Sequence, residues 1–150
     1  LRADDVDHPR RLVLDRRVER VERQLLVRIQ RREIVEIGPM ADRIGIVAIA
    51  EASEKRHRLY MRRMGVSSRI AGERALNMTV DETARGTGTF TRLQEVGRAL
   101  ISDGAEALVL GCAGMAVHRA PLEQVLGIPV IDPTQAAVSM AMGTVLANQI

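Results

Sequence analysis

The 150-residue chain is poor in the residue types that build cross-linked, metal-bound or base-stacking sites. With one cysteine, Cys112, and three scattered histidines, it has neither an intramolecular disulfide framework nor a zinc cluster built on cysteine spacing. Its two aromatic residues, Tyr60 and Phe90, provide no stacking surface for single-stranded nucleic acid. The core must therefore be aliphatic and methionine-rich, and a chain of this length buries roughly 68–70% of its unfolded surface without cross-links.

Long apolar runs are also absent from the sequence. Apolar residues make up 46% of the chain, but no run approaches the ~20 residues that span a bilayer. The first residues do not show the charged, apolar and small-residue pattern of a signal peptide. We therefore expect a cytoplasmic protein with no membrane partner.

The excess of positive charge is small and evenly spread. The net charge is +3; residues 1–40 carry ten Arg and eight acidic residues, a net of +2, which leaves +1 for residues 41–150. A nucleic-acid surface needs a concentrated basic patch, so we expect no nucleic-acid partner. An RNA-binding arm within residues 1–40 is the less favoured alternative, because acidic residues are interspersed there and no aromatic residue is present.

The pattern of the chain changes at Gly38-Pro39. Before it, Val18, Val21, Leu25 and Ile29 recur at helical spacing, which predicts an amphipathic helix over about residues 11–32 or a solvated arm. We expect an Arg-rich extension over residues 1–40 and an α/β domain over residues 41–150. The chain opens on leucine, so we also expect it to be a fragment or to carry an altered upstream region.

Strands and helices alternate after residue 40, which predicts a parallel sheet with helices on both faces. Short β-branched or apolar runs predict strands at residues 43–49, 105–111 and 128–131. A weaker strand at 68–77 rests on the alternation of Ile70, Gly72, Arg74 and Leu76. Helices are predicted at 51–64, with Leu59 and Tyr60 as its apolar face, from a Thr91/Gln94 capping box to about 103, at 117–126 and at 133–148.

Residues 79–89 are polar and predict a flexible loop. Its Gly86-Thr87-Gly88 segment could be a phosphate-binding loop, but no lysine follows and no strand leads into it. A plain connection is the favoured interpretation.

Cys112 follows a predicted buried strand, at the edge where open parallel sheets bind their ligands. Gly111 and Gly114 allow a sharp turn, which would leave the N–H groups of Cys112, Ala113 and Gly114 free to hold a carboxylate or enolate oxygen. The positive end of the following helix would favour a reactive thiolate. The alternative is a small, buried apolar residue.

Two polar residues near this edge have simpler interpretations. His118 is a candidate to assist Cys112 as an acid or base, although an ordinary surface histidine at a helix entry is favoured. Asp132, followed by Pro133, is predicted to cap the last helix.

Two segments resemble a known family. Residues 103–115, DGAEALVLGCAGM, and residues 126–132, LGIPVID, are similar to the C-terminal part of hydantoin racemases, within the aspartate/glutamate racemase superfamily. The resemblance covers about residues 42–148. It implies two α/β lobes with the active site between them, no cofactor or metal, and two cysteines on opposite sides of the substrate Cα. Cys112 matches the second-lobe cysteine, and the backbone of Gly111, Ala113 and Gly114 would bind the substrate.

The sequence departs from this family pattern in two ways. It has no second cysteine and little that matches the first lobe, and Ala48, Ile49 and Ala50 stand where the family often has hydroxyl residues. We expect a racemase or epimerase acting next to a carbonyl of a small molecule, either a hydantoin or an amino-acid derivative, and inactive alone if truncated. The alternatives are a one-cysteine enzyme like arylmalonate decarboxylase and a non-catalytic remnant that forms oligomers.

The predicted last helix contains many Ala and Met residues, among them Met140, Met142 and Val145. Packing in the core is the favoured role for these side chains. In the family this helix returns to the first lobe, so it could here expose an apolar stripe. We therefore expect a homo-oligomer.

Overall fold

Four short strands form one sheet in residues 41–147, the part of the chain that the computed structural model describes. The strands are β1 (Ile44–Ala48), β2 (Ile70–Ala75), β3 (Ala107–Leu110) and β4 (Val130–Ile131). All pairs are parallel, in the order β2-β1-β3-β4. Every residue of the central strand β1 is buried, as expected for a strand covered on both faces. The predicted α/β class and parallel sheet are confirmed.

Helices connect the strands, and all but the second of them lie at predicted places. They are α1 (Glu51–Met64), α2 (Val80–Arg85), α3 (Thr89–Ser102), α4 (Arg119–Leu126) and α5 (Pro133–Ala147), with 3₁₀ segments at Ser67–Arg69 and Ala113–His118. Gly65 and Gly127 end α1 and α4 in the left-handed region, with φ of 72° and 71°. Asp132 caps α5 as predicted, because its Oδ1 accepts the Gln135 N–H at 2.7 Å.

The two faces of the sheet carry separate cores. On one face, α3 and α4 pack Leu93, Leu100 and Leu122 against the sheet. On the other, α1 packs Met61 and Met64 against a floor that includes Ile44 and Ile46. The predicted apolar face of α1 is thus partly wrong: Leu59 is 46% exposed, because residues 57, 61 and 64 form the stripe that faces the sheet.

The predicted loop over residues 79–89 is wrong in part, because it contains the short helix α2, and only residues 86–88 remain a non-helical connection. Thr79 and Glu82 form its capping box: the Glu82 N–H donates to Thr79 Oγ1 at 3.2 Å and the Thr79 N–H donates to Glu82 Oε2 at 2.7 Å. The predicted Thr91/Gln94 box does not form. Helix α3 begins at Thr89, whose hydroxyl donates to the Glu82 carbonyl at 2.6 Å, so a contact with α2 determines where it starts.

Strand β2 carries an extra residue opposite β1. Ile44 is paired with Ile70 but Gly45 with Gly72, which shifts the register by one residue. The predicted alternation is therefore interrupted at Ala71, because a one-residue slip moves the following side chains to opposite faces. As a result Glu73 lies beside Ile46 on the α1 face, while Arg74 pairs with Asp103 of the opposite layer.

Helix α5 packs little against the rest of the domain, and none of its described residues is buried. The predicted core role of its methionines is not observed, since Met142 is 60% exposed. Within residues 41–147, no helix combines the length and apolar character that a membrane crossing requires. The predicted helix over residues 11–32 and the boundary at residue 40 lie outside the described residues.

Candidate active site

The sequence-predicted site lies at the carboxyl edge of the sheet. Val47 of β1 pairs with Leu110 of β3, so the loops after these two central strands emerge side by side. Cys112 lies two residues beyond β3 and, in an extended conformation with φ of −149°, immediately precedes the 3₁₀ segment. It is partly buried and packs against the α3-side core, so it is neither fully exposed nor an ordinary core residue.

Gly111 allows the chain to leave β3 close to β1. Its N–H donates to the Val47 carbonyl at 2.8 Å, and a Cβ atom at this position would lie 2.6 Å from that oxygen. The predicted substrate-binding role of the Gly111 backbone is therefore not available to its amide, which is already bonded. The residue instead brings the two strand ends together.

The amides of the next three residues, unlike that of Gly111, are not engaged in the sheet. No hydrogen bond from the N–H of Cys112, Ala113 or Gly114 is found within residues 41–147. The Cys112 carbonyl accepts the Met115 N–H at 3.0 Å, which closes the turn. Unpaired backbone donors beside a thiol can bind an oxygen that develops negative charge.

A cleft of about 220 Å³ extends from this turn along the α1 face of the sheet. Gly111, Cys112 and Ala113 form one end of it. The remaining lining comes from the strands, from α1 and from the start of α5, and consists of Ile44, Ile46, His57, Tyr60, Met61, Met64, Val109, Leu110, Pro133 and Thr134. Most residues that line the cleft are therefore apolar, and Cys112 is one of those at the carboxyl edge of the sheet.

His118 is not among the residues that line this cleft. Its ring lies 6.0 Å from the ring of Phe90, and its Nε2 is buried without a hydrogen-bond partner among the described residues. The structure does not bring it and Cys112 together in the cleft, so its assistance to Cys112 stays a prediction.

The sequence analysis missed a second polar group in the same cleft. His57 of α1 contacts Glu73 of β2, with 2.5 Å between Nδ1 and Oε1, and His57 lines the cleft. The side chains are 18% and 6% exposed, and Glu73 Oε2 is buried without a partner among residues 41–147. Helical spacing could have indicated His57 from the sequence, because it lies four residues before Met61 and therefore on the same face of α1, which is buried at Met61.

No group of three or more His, Cys, Asp or Glu side chains within residues 41–147 could hold a metal ion.

The parallel sheet with helices on both faces, and the cysteine turn at its carboxyl edge, place this protein in the class of α/β proteins that bind ligands at the ends of their strands. The chain belongs to the Asp/Glu/hydantoin racemase family, whose sequence model matches residues 26–141. The match begins at residue 26, whereas the resemblance seen in the sequence begins at about residue 42.

Individual relatives agree with this assignment. The hydantoin racemase of Paenarthrobacter aurescens is 36% identical over 107 residues, which are 68% of this chain and 44% of the relative. That of Pseudomonas sp. (strain NS671) is 42% identical over 79 residues, 51% of this chain and 32% of the relative. The chain therefore spans less than half the length of these curated relatives.

Solved structures show the same relationship. Allantoin racemase from Klebsiella pneumoniae has a TM-score of 0.65 at 32% identity, over 72% of this chain and 45% of that one. Unliganded arylmalonate decarboxylase has a TM-score of 0.57 at 18% identity, over 78% and 51% of the two chains, and shows the shared fold alone.

Proposed function

We propose that this chain provides one half of a cofactor-independent racemase or epimerase, in which Cys112 exchanges a proton with the substrate carbon next to a carbonyl. The observation that carries the proposal is the Cys112 turn at the carboxyl edge of the sheet, where a partly buried cysteine stands beside three amides that have no hydrogen-bond partner among residues 41–147. A hydantoin or a related amino-acid derivative is the proposed substrate class, in line with the relatives' names.

The proposed chemistry is a proton transfer at carbon. The Cys112 thiolate takes the Cα proton, so that the C–H bond breaks, an S–H bond forms and the electron pair moves onto the carbonyl oxygen as an enolate. The Ala113 and Gly114 amides stabilise that oxygen. Inversion needs a second acid on the opposite face of the planar intermediate. We assign that group to the half of the fold that this chain does not span.

Exchange of the Cα proton with solvent tests the role of Cys112. In D2O, one thiol can remove the proton, exchange with solvent and return deuterium to the same face. The chain alone should therefore label a hydantoin without racemising it, and Cys112→Ala should abolish the labelling while Cys112→Ser reduces it strongly. Labelling that persists at the wild-type rate in Cys112→Ala would refute the proposal.

Alkylation provides a second readout that does not need turnover. Iodoacetamide should modify Cys112 at neutral pH, and a bound hydantoin should protect it. Met142→Leu, on the exposed face of α5, is the matched control and should retain both behaviours.

A decarboxylase is the second candidate function, because its chemistry needs one cysteine and the chain has only Cys112. Loss of CO2 from an arylmalonate breaks the C–C bond and leaves an enediolate, to which the Cys112 thiol donates its proton. Release of CO2 from phenylmalonate by the wild-type chain, and its loss in Cys112→Ala, would favour this function over racemisation.

We also propose that the exposed side of α5 is covered in a homo-oligomer. Four large apolar residues recur there at helical spacing and are 54–60% exposed: Val138, Met142, Val145 and Leu146. Sedimentation analysis of the wild-type chain should show a dimer or larger species, and Met142→Gln with Leu146→Gln should shift it to the monomer. A wild-type chain that stays monomeric at high concentration would contradict this assembly.

A further inference from the structure

The His57–Glu73 pair has no role in the chemistry proposed for Cys112, although His57 lines the same cleft. A histidine held by a buried carboxylate has a defined orientation, because the carboxylate binds one ring nitrogen and leaves the other directed elsewhere. Such a pair costs free energy to bury, especially with Glu73 Oε2 unpartnered among the described residues.

The strand register places the pair away from the thiol. Glu73 is paired with Ile46, and Ile46 is paired in turn with Val109. Cys112 lies three residues beyond Val109, which at about 3.3 Å per residue is roughly 10 Å further along the sheet. The positions of Glu73 and Cys112 along the sheet thus place the two polar groups of the cleft toward different ends of it.

The surface between these two ends is apolar. Ile46 and Val109 form the floor, and Met61 of α1 forms part of the wall. A flat hydrocarbon or aromatic group attached to the reacting carbon would bury its surface there.

The hydrogen-bonding capacity of His57 follows from its partner. Glu73 can only accept as a carboxylate, so Nδ1–H is the donor in this contact. In the tautomer that carries its proton on Nδ1, the other ring nitrogen, Nε2, has a lone pair, and no hydrogen bond to Nε2 is found within residues 41–147. This nitrogen fits a ligand group that donates an O–H or N–H.

We propose that His57, positioned by Glu73, is a specificity-determining residue that recognises a hydrogen-bond donor at the tip of an aromatic substrate side chain. The inference rests on the proposed function, because it places the reacting carbon at Cys112. Within the proposed substrate class, hydantoins with a 4-hydroxybenzyl-like substituent at C5 are then preferred over hydantoins with a plain benzyl group. A site built around a polar partner discriminates against the analogue that lacks it.

The test compares two compounds that differ by one hydroxyl group. Dissociation constants of 5-(4-hydroxybenzyl)hydantoin and 5-benzylhydantoin are measured by calorimetry, with protection of Cys112 from iodoacetamide as a second readout. Wild-type protein should bind the hydroxylated compound about threefold to tenfold more tightly, the range expected for one hydrogen bond.

Three variants separate recognition from folding. His57→Asn can keep a donor near the Nδ1 position but removes the Nε2 acceptor, so the preference for the hydroxyl group should disappear while 5-benzylhydantoin still binds. His57→Gln places a polar atom near the Nε2 position and should retain part of the preference. Glu73→Gln should reduce the preference, because an amide can donate to Nδ1 and so reverse the tautomer.

The outcomes distinguish this inference from the function on which it rests. If both hydantoins bind wild-type protein and protect Cys112 equally, or if His57→Asn retains the full preference, the role of His57 is wrong and the proposed function stands. If neither compound binds or protects Cys112, the hydantoin function is wrong and this inference fails with it.

Discussion

Gly114 lies against Thr83 so closely that a Cβ atom at Gly114 would be 2.8 Å from the Thr83 hydroxyl oxygen. Thr83 is fully buried, and its hydroxyl donates to the Val80 carbonyl at 2.7 Å. The same Cβ position lies 3.7 Å from Cys112 Sγ. Helix α2 therefore supports the turn that carries the thiol, although α2 contributes no residue to the cleft lining.

Gly114→Ala should displace this turn. The added methyl group meets Thr83 Oγ1 and the Val80 carbonyl oxygen, so we expect a loss of about 1–3 kcal/mol in the free energy of unfolding and a changed alkylation rate of Cys112. Urea denaturation and iodoacetamide kinetics measure the two effects. Adding Thr83→Ala, which removes the nearest atom, should restore part of the loss.

Gly143→Ala is the matched control for that substitution. In the described part of the chain, nothing beyond the local helix backbone lies within 4 Å of a Cβ atom at Gly143, which is inside α5. Alanine should therefore stabilise the helix by up to about 1 kcal/mol. Cys112 should react at the wild-type rate. Equal effects of the two glycine substitutions on Cys112 would mean that contact with Thr83 does not position the turn.

Gly111→Ala should be more damaging than Gly114→Ala. The added methyl group would lie 2.6 Å from the Val47 carbonyl oxygen, a backbone atom of a central strand that cannot move without disturbing the β1–β3 pairing. We expect a loss of about 3 kcal/mol in chemical denaturation. A variant as stable as wild type would show that the two strand ends can separate freely.

The capping box of α2 should make stability depend on acid pH. The Thr79 backbone N–H and then its hydroxyl donate to Glu82, and these hydrogen bonds lower the pKa of Glu82 below its ordinary value of 4.5. Because the folded-state pKa is the lower one, the stabilisation is present above that ordinary value. It is lost as the pH falls through the lowered pKa.

Glu82→Gln isolates this contribution. The variant should be less stable than wild type at pH 7, and the difference should shrink as the pH is lowered toward 3. Thermal unfolding at both pH values checks it. If the stability difference between wild type and Glu82→Gln is the same at both pH values, ionised Glu82 is no better a cap than the neutral amide.

Asp132 should stabilise the first turn of α5 through one of its two carboxylate oxygens. Oδ1 accepts the Gln135 N–H, whereas the buried Oδ2 has no partner among residues 41–147. Asp132→Ala should cost about 0.5–2 kcal/mol in thermal unfolding, while Asp132→Asn keeps the cap oxygen and should cost less. Equal losses in the two variants would contradict the capping role.

Much of this fold could be predicted from local patterns. The buried runs that became β1 and β3 are apolar on both faces, and Gly65, Gly127 and Asp132 end or begin their helices by chemistry that acts within a few residues. The position of Cys112 could also be predicted. Alternating strands and helices imply a parallel sheet, so a residue that follows a strand lies at the carboxyl edge of that sheet.

The remaining features depended on contacts between distant residues. The start of α3 follows the bond from Thr89 to Glu82 rather than the Thr91/Gln94 pattern, and Glu73 faces His57 only because one extra residue in β2 shifts the register. The sequence by itself determined the four strands, the four longer helices, their order and the position of the thiol. The tertiary structure alone decided which side chains share the cleft, because pairing register and helix packing are long-range interactions that local periodicity does not encode.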